Sequence, residues 1–238
     1  TAIAAAAGDE SFAERTPVFR QLLSRPSAVL GMTVIAALVV LFLFGPLVAP
    51  HPHTEQTISR RLEGPSPDFL LGTDHLGRDL LSRLIIGTRV ALGTAFPSVL
   101  TALLCGLVIG LVAGYTGGWL DNLILIVMDT LQAFPALLLA LALMALLDPS
   151  ISNVILVIAI AYTPGYARIV RAQVLSIKEE QFIEVERSFG ASHLRIALVH
   201  VVPNMLAPLL ILLAMDLPSA IATEAGLSFL GLGVRPPT

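Results

Sequence analysis

Apolar residues form long uninterrupted runs in this chain, and the charged residues are gathered between them. No charged residue occurs from Val90 to Leu120, from Thr130 to Leu147 or from Pro149 to Ala167. Runs of roughly 20 apolar residues are long enough to cross a hydrocarbon core of about 30 Å as a helix. The pattern therefore predicts an all-α membrane protein, a helical bundle with five transmembrane helices inside the sequence.

Turn signals and polar segments separate the five predicted helices. TM1 covers residues 26–50, TM2 about 89–113, TM3 about 122–147, TM4 about 151–174 and TM5 about 204–222. A tail of residues 1–25 precedes TM1, and a segment of residues 223–238 follows TM5 at the end of the core 89–238. The loop of residues 51–88 is predicted to contain a short amphipathic helix around Leu80–Ile85. Pro135 falls inside TM3, which membrane helices tolerate because their neighbours satisfy the freed carbonyl.

Composition agrees with lipid as the solvent of this chain. Hydrophobic residues make up 55% and charged residues 13% of it, against about 25% charged residues in an ordinary soluble domain. The net charge of −3 gives no indication of a nucleic-acid partner. Eight of the 14 basic residues fall on one side of the predicted topology and six on the other, which favours a cytoplasmic N-terminus by a small margin.

The charged loop between TM4 and TM5, residues 178–203, does not belong in lipid. On a helix, Phe182, Val185 and Phe189 fall on one face at i, i+3 and i+7. Gly190 is placed to end that helix in a left-handed conformation, and Ser192 to cap a second one. These residues alone leave two alternatives: a solvated connector, or a docking element whose apolar stripe binds a partner.

Several motifs, in order along the chain, resemble those of ABC importer permeases. Glu184-Val-Glu-Arg-Ser-Phe-Gly190, followed by His200-Val-Val-Pro203, is similar to their E-A-A-x3-G-x9-I-x-L-P loop. Val185 and Glu186 stand at the alanine positions and His200 at the isoleucine position. Further resemblances to the peptide/nickel group are Leu71–Asp79 with Ser82-Arg83, Ala113–Gly118 with Asp121, Asp129 with Ala133-Phe-Pro135, and Glu224–Gly233. Together they are typical of the C-type permease subunit of dipeptide and oligopeptide importers.

The resemblance implies a type I ABC importer permease in the bacterial inner or plasma membrane, with a sixth helix expected beyond Thr238. Its expected partners are a homologous second permease, two cytoplasmic ATPase subunits and an extracytoplasmic peptide-binding protein. The loop would be cytoplasmic and would dock on one ATPase. The implied ATPase-coupling residues are Phe182, Glu184, Val185, Glu186, Arg187, Phe189, Gly190 and Ala191. Peptide transport is the expected function, and a permease for nickel or another small solute, or an ion-coupled secondary transporter, are the alternatives.

No enzymatic activity or cofactor is expected in this chain. Lys178 is its only lysine and is followed by Glu179, so the sequence has no G-x4-G-K-[ST] phosphate-binding loop. ATP and Mg²⁺ would bind to the partner ATPases. Asp74, His75 and Asp79 on one turn make a poor metal site, and none is predicted.

Charged residues in or near the spans are the candidates for a substrate path. A carboxylate at mid-bilayer costs about 2.5–3.5 kcal/mol on insertion scales. Asp129, Asp216 and Glu224 are therefore predicted either to line a polar cavity that meets a peptide's ammonium group, or to be satisfied by neighbouring helices.

The polar loop before TM2 supplies candidates for external contacts. Asp74, Arg78, Asp79 and Arg83 are predicted to contact the binding protein or the second permease, with Asp79 and Arg83 forming an i,i+4 pair.

Overall fold

A computed structural model describes residues 23–233, and these residues fold as helices joined by loops. Eight α-helices lie wholly within this range: α1 (Pro26–Val48), α2 (Leu80–Thr116), α3 (Gly118–Gln132), α4 (Ala136–Met144), α5 (Ile151–Lys178), α6 (Gln181–Ser188), α7 (His193–Ile196) and α8 (Val202–Phe229). A 3-10 helix spans Ile58–Arg60, and a π-helical turn spans Ala197–Val201. Most of the predicted N-terminal tail, and the last five residues of the predicted segment 223–238, lie outside the described residues.

Within this range, four helical stretches are long and apolar enough to cross a membrane. They are Pro26–Val48, Leu80–Thr116, Ile151–Lys178 and His193–Phe229, and the bent pair α3 and α4 gives a fifth if it is taken as one span. The all-α membrane architecture predicted from the sequence is confirmed.

The third predicted span is not one straight helix. The chain bends by 89° between α3 and α4, at Ala133, Phe134 and Pro135. Proline has no N–H to donate and disfavours helical geometry in the residue before it, so a helix ends most readily here. The sequence located the proline but predicted a continuous span from 122 to 147.

The predicted short helix near Leu80–Ile85 is instead the beginning of the long helix α2. Asp79 caps that helix, because its carboxylate accepts a hydrogen bond from the Ser82 amide at 3.0 Å. The loop before α2 therefore ends at Asp79 rather than at residue 88.

A seam of small residues joins α2 to α5. Gly106, Gly110 and Gly114 recur every four residues on α2, and all three meet backbone or β-carbon atoms of α5. Val170 and Val174 of α5 are fully buried in this seam. Small residues let membrane helices approach closely enough for extensive van der Waals contact, so α2 and α5 form the centre of the bundle.

Candidate functional site

The loop between α5 and α8 is anchored to the bundle by two isoleucines. Ile183 of α6 and Ile196 of α7 have no exposed surface. Gly190 separates the two helices with a φ of +81°, and the Ser192 hydroxyl accepts from the Arg195 amide at 3.3 Å. The predicted glycine break and serine cap are thus present. The isoleucine anchors were missed, because nothing local distinguishes Ile183 from the apolar residues beside it.

The same loop presents an apolar surface to solvent. Phe182 is 43% exposed, Val185 53% and Phe189 87%, and all three lie on or next to α6. Glu184 and Arg187 are exposed beside them. An exposed apolar stripe on an anchored element is typical of a surface that binds a partner.

Two of the three positions at which this loop departs from the permease pattern, Glu186 and His200, are in contact. Glu186 of α6 pairs with His200 in the π-helical turn before α8. The Phe182 ring lies 6.0 Å from the His200 ring, centroid to centroid. Two residues of α6, Phe182 and Glu186, therefore contact the π-helical turn before α8. They lie one helical turn apart on the same face of α6.

Polar contacts tie the loop end of α5 to its neighbours. The Lys178 ammonium donates to the Gly114 carbonyl at 2.9 Å and lies 5.4 Å from the centre of the Tyr115 ring. Arg171 binds Asp121 of α3 through two hydrogen bonds of 2.6 Å. The ends of α2, α3 and α5 nearest the loop are thereby joined into one unit.

A cavity of about 550 Å³ lies between α5, α8 and the bend that separates α3 from α4. Its polar lining residues are Gln132, Tyr162, Arg168 and Asp216, and Gly165 forms part of its wall. Asp216 is near the middle of α8, about 21 Å along the helix axis from Val202 at 1.5 Å per residue. The volume is in the range of about 300–1,000 Å³ found for small-molecule sites.

Two of the predicted substrate-path carboxylates are already bound by their neighbours. Asp129 accepts a hydrogen bond of 2.5 Å from Arg168, which brings α3 to α5 at the cavity wall. Glu224 is 7% exposed, accepts from the Ser228 hydroxyl at 2.7 Å and does not line the cavity. Of the three candidates, the structure places only Asp216 directly in the cavity.

A second cavity, of about 660 Å³, lies between the end of α1 and the first part of α2. Its lining is mainly proline and apolar residues, and its polar residues are Arg89, Thr94, His51 and His53. None of its lining residues carries a carboxylate. The smaller cavity carries the more specific arrangement of polar groups.

The external contact candidates are organised around Asp74. Its carboxylate accepts from the amides of Leu76 and Arg78 at 2.8 and 3.0 Å, and pairs with the side chains of Arg78 and Arg83. Burial alone would raise the pKa of Asp74, but the hydrogen bonds from Arg78 and Leu76 outweigh it, so the pKa lies well below its usual value.

The predicted pairing of Asp79 with Arg83 is wrong. Arg83 binds Asp74, whereas Asp79 is 3% exposed and accepts from the Ser82 hydroxyl at 2.5 Å. Asp79 caps α2. Because it is almost fully buried, it is not available as a direct contact for another protein. Among residues 23–233, no group of three or more His, Cys, Asp or Glu residues is placed to hold a metal ion.

Comparison with known proteins identifies the family. The model of the binding-protein-dependent transport system inner membrane component matches residues 106–238. The N-terminal TM domain of oligopeptide transport permease C matches residues 17–65. The chain belongs to this family of importer permeases.

Curated relatives agree over most of the permease. The dipeptide transport system permease protein DppC of Alkalihalophilus pseudofirmus is 39% identical over 92% of the chain and 72% of that protein. The di/tripeptide transport system permease protein DppC of Pseudomonas aeruginosa is 41% identical, over 98% and 80% respectively. The glutathione transport system permease protein GsiD of Shigella flexneri is 40% identical, over 94% and 75%.

These matches confirm the importer-permease prediction and do not support an ion-coupled secondary transporter. The permease is a multi-pass inner-membrane protein, and its family functions as one subunit of a larger transport complex.

Proposed function

We propose that this permease carries dipeptides and oligopeptides into the cell by alternating access, driven by ATP hydrolysis on two separate ATPase subunits. The names of its relatives support the substrate class, since dipeptides, tripeptides and glutathione are all short peptides. A homologous second permease completes the membrane pore, and an extracytoplasmic binding protein delivers the peptide. ATP and Mg²⁺ bind to the ATPases.

The exposed stripe of Phe182, Val185 and Phe189 on an anchored helix is the observation that carries this proposal. α6 is the coupling helix, and its stripe docks in a groove of one ATPase. Glu184 and Arg187 set the register at the rim of the contact. The loop is then cytoplasmic. Four spans precede it if α3 and α4 count as one, and this even number gives a cytoplasmic N-terminus.

Motion of the coupling helix reaches the bundle through the contacts that anchor it. Closure of the ATPase dimer displaces α6, and the buried Ile183 and the Glu186–His200 pair pass the displacement to α5 and α8. Lys178 and Arg171 join α5 to α2 and α3, so the helices around the cavity turn together. The cavity then opens alternately to the two sides.

Proteoliposomes containing the permease, its second permease and both ATPases test the proposal. With loaded binding protein outside, labelled dipeptide enters only when ATP is supplied, and an ion gradient does not replace ATP. A Phe189→Ser variant loses the ATPases on purification. Phe229→Ser, the same change at a 90% exposed position at the other end of α8, retains them.

Loss of the ATPases from both variants, or from neither, would contradict the docking role of the stripe. ATP-driven uptake of Ni²⁺ with no uptake of peptide would instead support the alternative substrate within the family.

A further inference from the structure

We propose that Asp216 holds the terminal ammonium group of the peptide in transit, and that Asp129 keeps Arg168 from occupying that carboxylate. The proposal rests on the proposed peptide transport and names the group by which the cavity recognises its substrate. It follows from the charges that line the cavity between α5, α8 and the α3–α4 bend.

The carboxylate of Asp216 has no cationic partner of its own. Within the described part of the chain, no arginine, lysine or histidine forms an ion pair with it. It lies in the middle of an apolar helix, where an ionisable residue pairs with another charge or faces a water-filled cavity. A cation brought by the substrate is the partner that this position lacks.

Arg168 is a cationic residue in the lining of the same cavity, and it already forms an ion pair with Asp129. It lines the same cavity as Asp216, but its guanidinium is held at 2.5 Å by Asp129. The three charges of the cavity region sum to one negative charge. That balance favours a ligand with a positive group and disfavours entry of an isolated anion.

Two aromatic residues, Phe134 and Tyr162, line the cavity together with Asp216. Tyr162 lines the cavity, and its hydroxyl lies 3.3 Å from that of Thr223. Tyr166 interacts with Asp216 from inside the bundle, and it is fully buried and does not line the cavity. An ammonium group has three donors and no acceptor, so it can bind a carboxylate while lying against an aromatic face. We therefore expect the ligand to carry a primary ammonium group on a short chain.

An uptake assay on the reconstituted complex tests this inference separately from the proposed function. Binding protein is loaded to equal occupancy with either a free-amine dipeptide or its N-formyl derivative, and uptake of both is measured. Wild-type complex transports the free-amine peptide faster. Asp216→Asn lowers the uptake of the free-amine peptide roughly tenfold, a loss typical of removing the charged partner of a hydrogen bond. It transports the N-formyl peptide as before.

Matched variants separate recognition from assembly. Asp148→Asn, the same change at an exposed residue in the turn before α5, keeps the wild-type ratio of the two uptakes. Asp129→Asn releases Arg168 to pair with Asp216 and lowers uptake of the free-amine peptide, and the additional change Arg168→Gln restores it. If Asp216→Asn fails to assemble, this pair of variants decides the question.

An unchanged ratio in Asp216→Asn, or no rescue by Arg168→Gln, overturns the inference while peptide transport stands. Absence of ATP-driven uptake of either peptide by wild-type complex contradicts the proposed function itself.

Discussion

The carboxylate of Glu186 lies 3.5 Å from the imidazole Nε2 of His200, joining α6, the proposed coupling helix, to the π-helical turn that precedes α8. Both residues depart from the loop pattern that the rest of the segment follows. Their side chains are 35% and 25% exposed, so the pair is partly shielded from water. Two of the three departures, Glu186 and His200, therefore form one contact.

Breaking this contact should loosen the coupling of ATP hydrolysis to transport. Glu186→Gln, His200→Gln and the double variant each lower the amount of peptide taken up per ATP hydrolysed. The double variant is no worse than either single one, because all three lose the same interaction. The coupling free energy is small, about 0.2–1 kcal/mol for a pair of this exposure. Additive losses would show that the two residues act separately.

The glycine seam between α2 and α5 should not accept a methyl group. A Cβ at Gly110 would lie 2.5 Å from the Ala167 carbonyl oxygen and 2.6 Å from the Val170 Cβ. Gly110→Ala forces two helix backbones apart and lowers the free energy of unfolding by about 1–3 kcal/mol. The temperature at which detergent-solubilised complex aggregates measures this.

Gly165→Ala is the matched stability control on the same pair of helices. A Cβ there meets no atom within 4 Å, so the change gains helix propensity, up to about 1 kcal/mol, without a clash. Its aggregation temperature should equal or exceed that of the wild type. A lower temperature for Gly165→Ala than for Gly110→Ala would contradict the packing described for the seam.

Asp74 should make the loop of residues 51–79 sensitive to acid. Its pKa is lower in the folded loop than in the unfolded chain. Its stabilising contribution is therefore complete above the unfolded value of about 4 and is lost as pH falls through that value toward the folded one. Asp74→Asn at pH 7 costs about 1.5–3 kcal/mol, the range for hydrogen bonds to a charged group.

Limited proteolysis of the complex follows this loop directly. Cleavage within residues 51–79 should be faster in Asp74→Asn at pH 7, and faster in the wild type at pH 3 than at pH 7. Asp68→Asn is the control, because Asp68 is 69% exposed and its pairing with Arg60 at 3.2 Å is a surface contact. Equal protection of Asp74→Asn and wild type at pH 7 would rule out this role for Asp74.

The sequence predicted those features that depend on neighbouring residues. Helical periodicity was enough to place Phe182, Val185 and Phe189 on one face, and the conformational freedom of glycine was enough to place the break at Gly190. The burial of Ile183 and the pairing of Arg83 with Asp74 instead of Asp79 depend on which elements of the fold are in contact. The bend at Pro135 lies between these cases, since the proline is visible in the sequence but the 89° angle between α3 and α4 is not.

The break at Gly190 should be the most sensitive single position in the coupling loop. Its φ of +81° is left-handed, and a Cβ there would meet no atom within 4 Å, so any cost of substitution comes from the backbone alone. Gly190→Val costs about 1–2 kcal/mol in this conformation, whereas Gly190→Asn costs less because asparagine visits it more readily. We expect peptide uptake per ATP hydrolysed to fall several-fold in Gly190→Val and little in Gly190→Asn. Equal transport by both variants would show that the angle between α6 and α7 does not matter for coupling.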